Sequence, residues 1–168
     1  MTTVSEVMTR GVRSLSPSDT MLAAAQAMAE LNIGVIPVCD GGSLVGMVTD
    51  RDIVVRGVAR ALDGNNTRLS ELMSANVRCA TEHQDVEEVL STMGDSQIRR
   101  LPVVDGNQKL VGIITLGDIA AKDRGDELDV AESLADISSP AAPDRSSQSP
   151  ASGPAGRGSK STATRAKN

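Results

Sequence analysis

The sequence contains no phenylalanine, tyrosine or tryptophan. Any core must therefore be assembled from Val, Ile, Leu, Met and Ala, and recognition of bases by stacking on aromatic side chains is excluded. Histidine occurs once, at His83, and cysteine twice, at Cys39 and Cys79. Two cysteines are too few for a disulfide scaffold and lack zinc spacing, and His83 has no second His or Cys near it to complete a metal site or a Cys-His nucleophile pair. His83 sits in "TEHQD", read as a turn entering a helix, and is expected on the surface. Each cysteine reads as a small buried apolar residue on a strand, with a redox-sensitive pair as the sharper alternative. The folded part has no G-x-S-x-G elbow, and no run of eighteen apolar residues offers a membrane span. The opening "MTTVSEVMTRG" lacks the basic and apolar regions of a signal peptide. Together these absences lead to the expectation of a cytoplasmic protein without catalytic machinery.

What remains is globular in character: 39% apolar and 23% charged residues, with a net charge of −5. A nucleic-acid-binding face would have to be local and work against the overall field, so composition argues against nucleic acid as a partner. The most informative feature is an internal repeat. "VSEVMTRGVRSLSPSDTMLAAAQAMAELNIGVIPVCDGG" at 4–42 aligns without gaps on "LSELMSANVRCATEHQDVEEVLSTMGDSQIRRLPVVDGN" at 69–107. The match resumes at Leu44 and Leu110, and "GMVTDRDIV" at 46–54 is echoed by "GIITLGDIA" at 112–120.

Each copy reads as the same series of elements. A short "VSEVM" or "LSELM" turn leads to an extended "GVRSL" or "NVRCA" and then to a helix. Ser18 or Asp19 is placed to cap the first helix, with Leu22, Ala25, Met28 and Leu31 at helical spacing; Val86, Val89, Leu90 and Met93 form the stripe of the second. Apolar, β-rich "GVIPVCD" or "RRLPVVD" follows, and a Gly-bearing turn joins it to "LVGMVT" or "LVGIIT" as a hairpin. A last helix begins at "DRDIVVRGVARAL" or "GDIAAK". The fold class is therefore α+β, two β-α-β-β-α repeats. One unit is too small to cover its own sheet and helices, so the twins are expected to share one globule about a pseudo-twofold axis. The expected boundaries are 1–62 and 69–125, with "DGNNTR" at 63–68 as linker.

Beyond 125 the character changes. "DELDVAESLADI" at 126–137 is a candidate acidic amphipathic helix. Residues 138–168 are Ser, Pro, Ala and Gly with little apolar bulk, which predicts disorder, and the late Arg and Lys residues read as a basic solubilising tail.

The repeated ending has a mechanism. Thr49 with Asp52, and Thr115 with Asp118, sit where a strand gives way to a helix. Unpaired N–H groups there suit a phosphate, a Thr hydroxyl can join them, and an Asp one turn on can accept from the vicinal hydroxyls of a ribose. Thr followed three residues later by an acid is equally a capping box that needs no ligand.

The tandem "IGVIPVCDGGSLVGMVTDRDI" and "IRRLPVVDGNQKLVGIITLGDI" resemble a pair of cystathionine β-synthase (CBS) domains, a Bateman module, over about residues 1–123. The chain is similar to small stand-alone two-domain proteins of the hypoxic-response type. The resemblance implies no catalysis of its own and no required cofactor. It implies an adenosine-containing ligand, of the AMP, ADP, ATP, S-adenosylmethionine or NAD type, in one or both of two clefts between the domains. By the same resemblance Asp52 and Asp118 would bind ribose, Thr49 and Thr115 would lie beside phosphate, and Val35, Ile36 and Leu101 would enclose the base. Arg51 would meet phosphate in the first cleft and Arg99 or Arg100 in the second. A disc-shaped homodimer and an effector protein would complete the system. The rival expectation is a stress-related interaction protein with vestigial clefts. Asp50-Arg51 against Leu116-Gly117 predicts that the clefts are not equivalent.

Overall fold

A computed structural model describes residues 1–122. The candidate acidic helix at 126–137 and the tail at 138–168, with the expectations attached to them, lie outside the described residues.

Each repeat opens with a single helical turn, α1 (Val4–Val7) or α4 (Leu69–Leu72). A glutamate closes each one, Glu6 accepting from the Thr3 N–H at 2.7 Å and Glu71 from the Arg68 N–H at 3.0 Å. The main helices are α2 (Met21–Leu31) and α5 (Val86–Ser96). Both end in a left-handed residue, Asn32 or Gln97, each at φ 52°, whose N–H turns back to the last turn's carbonyls. The expected hairpins follow. β2 (Val35–Asp40) pairs with β3 (Ser43–Thr49), and β5 (Arg100–Val104) with β6 (Leu110–Thr115), with a bulge at the equivalent step, Val38/Cys39 and Val103/Val104. Each unit finishes in a helix. In repeat two it is α6 (Leu116–Lys122). In repeat one it is α3 (Asp50–Asp52), which runs on through a π-helical Ile53–Gly57 and a 3-10 turn, Val58–Arg60.

The expected first strands are vestigial. "NVRCA" contributes only its last residue to β4 (Ala80–Thr81), parallel to β5, and "GVRSL" only a parallel bridge from Leu15 to Val38.

Two details of the first helix differ from expectation. Its cap is Thr20, whose hydroxyl accepts from the Ala23 N–H at 3.2 Å, while Asp19 accepts from the Ser16 N–H and shapes the preceding turn. Its buried face is Met21, Ala24, Ala27 and Met28, whereas Leu22 and Leu31 are about two-fifths exposed. Small alanines let α2 approach the sheet closely, so the bulkier leucines are left outside. In α5 the expected stripe holds: Val86, Val89, Leu90 and Met93 are all buried.

The repeats exchange their opening segments. Val4, Val7 and Met8 lie in the core built by α5, β5, β6 and α6, and β1 (Thr9–Arg10) pairs antiparallel with β6. Reciprocally, Leu69 and Leu72 complete the core of α2, β2 and β3, and Ser74 bridges to Met47. Val4, Val7, Leu69 and Leu72 are at most 2% exposed. At about 1.5–3 kcal/mol for each fully buried aliphatic side chain, the exchange binds the two repeats into one globule. Where the exchanged segments cross the hairpins, the strand carries Gly46 or Gly112. A Cβ at Gly112 would sit 2.6 Å from the Thr9 carbonyl oxygen, and one at Gly46 would sit 2.9 Å from that of Ser74.

The cysteines are both free and differ. Cys39 is buried on β2 as expected, and burial raises its thiol pKa. Cys79 is exposed and immediately precedes β4, so the expectation of a buried strand residue fails there; its thiol donates to the Val77 carbonyl at 3.3 Å. His83 is a surface residue, 3.7 Å from Glu82. The 63–68 linker is an ordered turn in which Asp63 accepts from the Asn65 N–H through its carboxylate and from the Thr67 N–H through its carbonyl.

Candidate functional site

At both strand-to-helix junctions the structure contains a capping box. The Asp52 carboxylate Oδ2 accepts from the Thr49 N–H at 3.0 Å and from the Thr49 hydroxyl at 2.8 Å, and the Asp52 N–H donates to Thr49 Oγ1 at 3.0 Å. Thr115 and Asp118 repeat this at 3.0, 2.7 and 3.1 Å. The helix donors that sequence reasoning offered to a phosphate are thus paired inside the protein: the Asp50 N–H donates to the Gly34 carbonyl at 3.0 Å and the Arg51 N–H to Asp50 Oδ1 at 2.7 Å. A box of this kind holds each carboxylate rigidly with one oxygen, Oδ1, turned outward.

What meets that second oxygen separates the two copies. Asp52 Oδ1 lies 3.5 Å from Arg56 Nε, and Arg56 Nη1 donates onward to the Leu72 carbonyl at 2.8 Å. Arg56 therefore ties the end of repeat one to the opening turn of repeat two. Asp118 Oδ1 instead accepts from the Thr9 hydroxyl at 3.3 Å. The Arg56–Asp52 pair is local, four residues apart on one helix, whereas the bonds from Arg56 to Leu72 and from Thr9 to Asp118 join one repeat to the other's exchanged segment and carried no signal in the sequence.

A cavity of about 830 Å³ opens between the repeats. Thr49, Arg51 and Asp52 line it from repeat one, together with Val35. Arg99, Arg100 and Leu101 line it from repeat two. Sequence reasoning assigned Arg99 and Arg100 to the second cleft, that of Thr115 and Asp118; the structure puts them, with Leu101, in the cavity of Thr49 and Asp52, and Thr115 and Asp118 do not line it. The strand starts at Gly34–Val35 and Arg99–Leu101 are repeat-related and meet there, so residues of one copy face the other. Ile36 is fully buried in the core of repeat one. Successive strand residues point to opposite faces, and its neighbour Val35 takes the cavity side.

Several lining residues were not among the expected site residues, although Asp50 was noted in the repeat mismatch. Asp50, Arg78 and Asp95 add charge, and Met47, Val77 and Ile98 extend the apolar wall begun by Val35 and Leu101. Arg78 donates to the Ser96 hydroxyl at 2.7 Å. The counterpart of Asp50 is Leu116, which is buried in the second core, so the mismatch seen in the repeated motif is a charged cavity residue against a core residue.

The geometry agrees with known proteins. A family model for the CBS domain matches residues 4–57 and again 69–125. Hypoxic response protein 1 of Mycobacterium tuberculosis is 41% identical over 121 residues, which are 71% of this chain and 84% of that protein. Its crystal structure, described with two coordinated zinc ions, superposes with a TM-score of 0.66 and is covered to 98%. The CBS domain pair of protein MJ0100, solved with 5′-methylthioadenosine and S-adenosyl-L-methionine, is 30% identical with a TM-score of 0.63, covering 72% of this chain and 94% of that one. CBSX2, solved with AMP, is 26% identical with a TM-score of 0.64, covering 72% and 95%. Among the described residues, no group of three or more His, Cys, Asp or Glu could hold a metal ion, and no helix is long and apolar enough to cross a membrane. With two matched repeats that fill most of the described structure, the chain belongs to the CBS domain family, as a tandem pair.

Proposed function

We propose that this CBS pair is a non-enzymatic regulatory module that binds an adenosine-containing ligand between its repeats and signals to a partner protein. The observation that carries the reading is the cavity itself. Its size lies in the range of small-molecule sites, and it combines an apolar wall with a fixed carboxylate and arginines from both repeats. In this reading Val35 and Leu101 enclose the base, Asp52 Oδ1 accepts from ribose, and the phosphate side faces Arg51, Arg99 and Arg100. Thr49 acts by holding Asp52. Ile36 supports the wall from the core. Thr115 and Asp118 form the ribose end of a second, weaker cleft, where a ligand must displace the Thr9 hydroxyl. A ligand touching both repeats alters their relative geometry only by its difference in affinity for the two arrangements. The adenosyl ligands of MJ0100 and CBSX2 support the ligand class.

The last helix of repeat one adds a surface for a second copy. Val54, Val55 and Val58 are about half exposed or more, a concentration of apolar area that favours a homodimer. The same patch would serve an interaction protein with idle clefts, so ligand binding is the deciding test. Purified protein is titrated with AMP, ADP, ATP, S-adenosylmethionine and NADH by calorimetry and thermal shift. A ligand at 100 times its Kd adds about 2.7 kcal/mol of stability. Binding that Asp52→Ala removes is the expected result; no response to any of the five at millimolar concentration refutes the reading.

A further inference from the structure

Four arginines line the cavity: Arg51 from repeat one, and Arg78, Arg99 and Arg100 from repeat two. They face three carboxylates, Asp50, Asp52 and Asp95. Asp52 is already matched by Arg56, which is not itself a lining residue, so the cavity holds an excess of two positive charges. Among the described residues, none of the four lining arginines has a carboxylate within ion-pair distance, whereas Arg10, Arg13 and Arg56 each do. Gathering unpaired guanidinium groups in one concave space costs electrostatic energy, which an anion bound there would offset.

The cluster is also not duplicated. The repeat-related positions of Arg51, Arg99 and Arg100 are Gly117, Gly34 and Val35. That of Arg78 is Arg13, which is held by Glu30 at 3.1 Å. A feature kept in one copy of a symmetric pair is not demanded by the fold. Because the nearby helix donors are consumed by the capping box, the Asp50 carboxylate and the Gly34 carbonyl, the charged donors left for phosphate oxygens are the guanidinium groups.

From this we infer that the cavity selects a nucleoside carrying two or three phosphates over AMP and over uncharged or sulfonium-bearing adenosyl compounds, one such ligand per chain. The inference rests on the adenosine reading above and adds the charge of the ligand to it. One phosphate is satisfied by one or two bidentate guanidinium groups; four groups from two repeats fit a longer anion that bridges them. A sulfonium would enter against the same field.

The test is calorimetric titration of the full chain with adenosine, AMP, ADP, ATP, S-adenosylmethionine and inorganic triphosphate. Affinity should rise from adenosine through AMP to ADP and ATP, with about tenfold or more between AMP and ATP, and ATP binding should weaken as salt is raised. Arg99→Gln with Arg100→Gln, both exposed positions, should bring ATP down to the affinity of AMP and leave adenosine unchanged. S-adenosylmethionine binding as tightly as ATP, or an ATP preference that survives in the double variant, would overturn the inference while the adenosine reading stands. Failure of every adenosine compound overturns both, and triphosphate binding without any gain from the nucleoside overturns the choice of a nucleotide.

Discussion

Replacing Gly112 by Ala puts a methyl group where the two repeats cross. The new carbon would lie 2.6 Å from the Thr9 carbonyl oxygen and 3.0 Å from the Met8 sulfur. The sulfur belongs to a buried core residue, and the oxygen to a strand fixed by the pairs Thr9↔Ile113 and Arg10↔Gly112. Clearing 3.0 Å requires the backbone of β1 to retreat by about 0.4 Å. Overpacking of this kind costs about 1–3 kcal/mol. Weakened pairing of β1 adds about 0.5–1.5 kcal/mol per hydrogen bond affected, and the stiffer unfolded chain returns about 0.4–1 kcal/mol. The balance is a loss of about 2–3 kcal/mol, or a fall in Tm of about 6–12 °C for a folded part of this size. Gly106→Ala is the internal control, since no heavy atom lies within 4 Å of its Cβ and its φ is not positive; it should gain about 0.4–1 kcal/mol. Calorimetry and urea titration measure both, with the midpoint moving and the slope unchanged. A Gly112→Ala protein as stable as wild type, or as stable as Gly106→Ala, would refute the claim that this glycine exists to let the exchanged strand approach.

Arg56→Met removes a charged donor from the Leu72 carbonyl and a half-exposed ion pair from Asp52; the first is worth about 1.5–3 kcal/mol and the second at most about 1, so stability should fall by about 2 kcal/mol in urea titration, and an unchanged midpoint would sink the proposed tie between the repeats. Two exposed carboxyls set part of the acid limit. The Thr3 N–H and then its hydroxyl hold Glu6 below the usual glutamate range, and the Asn65 N–H and then the Asn66 side chain hold Asp63 below the usual aspartate range. A depressed folded value means stability that is present above the unfolded pKa and is lost as pH falls through the folded one. Tm measured from about pH 5 to pH 2 should therefore drop less steeply in Glu6→Gln and Asp63→Asn than in wild type, and parallel curves would refute the assignment.

What the sequence revealed and what it hid divide along the range of the interactions. The hairpins were legible because "VIPVCDGGSLVGMVT" carries β-formers on both sides of a glycine turn, and Gly41 and Gly42 do adopt φ of 57° and 86°. The stripe Val86, Val89, Leu90 and Met93 was legible because Glu87, Glu88 and Asp95 mark the opposite face. In α2 such marks are sparse, with Gln26 and Glu30 alone among "MLAAAQAMAEL", so the phase rested on bulk, and bulk chose Leu22 over Ala24. The exchange of opening segments was invisible as a contact, since Thr9 and Ile113 are more than a hundred residues apart. Its trace was nevertheless present, as a glycine inside a strand at the same place in both copies.

The same division explains the site. The pair Thr49 and Asp52 had two readings, a helix cap or a ligand grip, and the structure makes the cap. The two are linked steps. By taking both bonds of Oδ2, the box leaves Asp52 with a single oriented oxygen, and in the proposed function a carboxylate that cannot swing would offer ribose a fixed acceptor at little entropic cost. Asp118 is oriented as firmly, yet lacks the cation cluster beside it. Local motif and long-range placement thus answer different questions: the first fixes the orientation of the Asp52 carboxylate, and the second brings Arg99 and Arg100 to the cavity of the other repeat, the two features on which the proposed sugar contact and the proposed ligand charge rest.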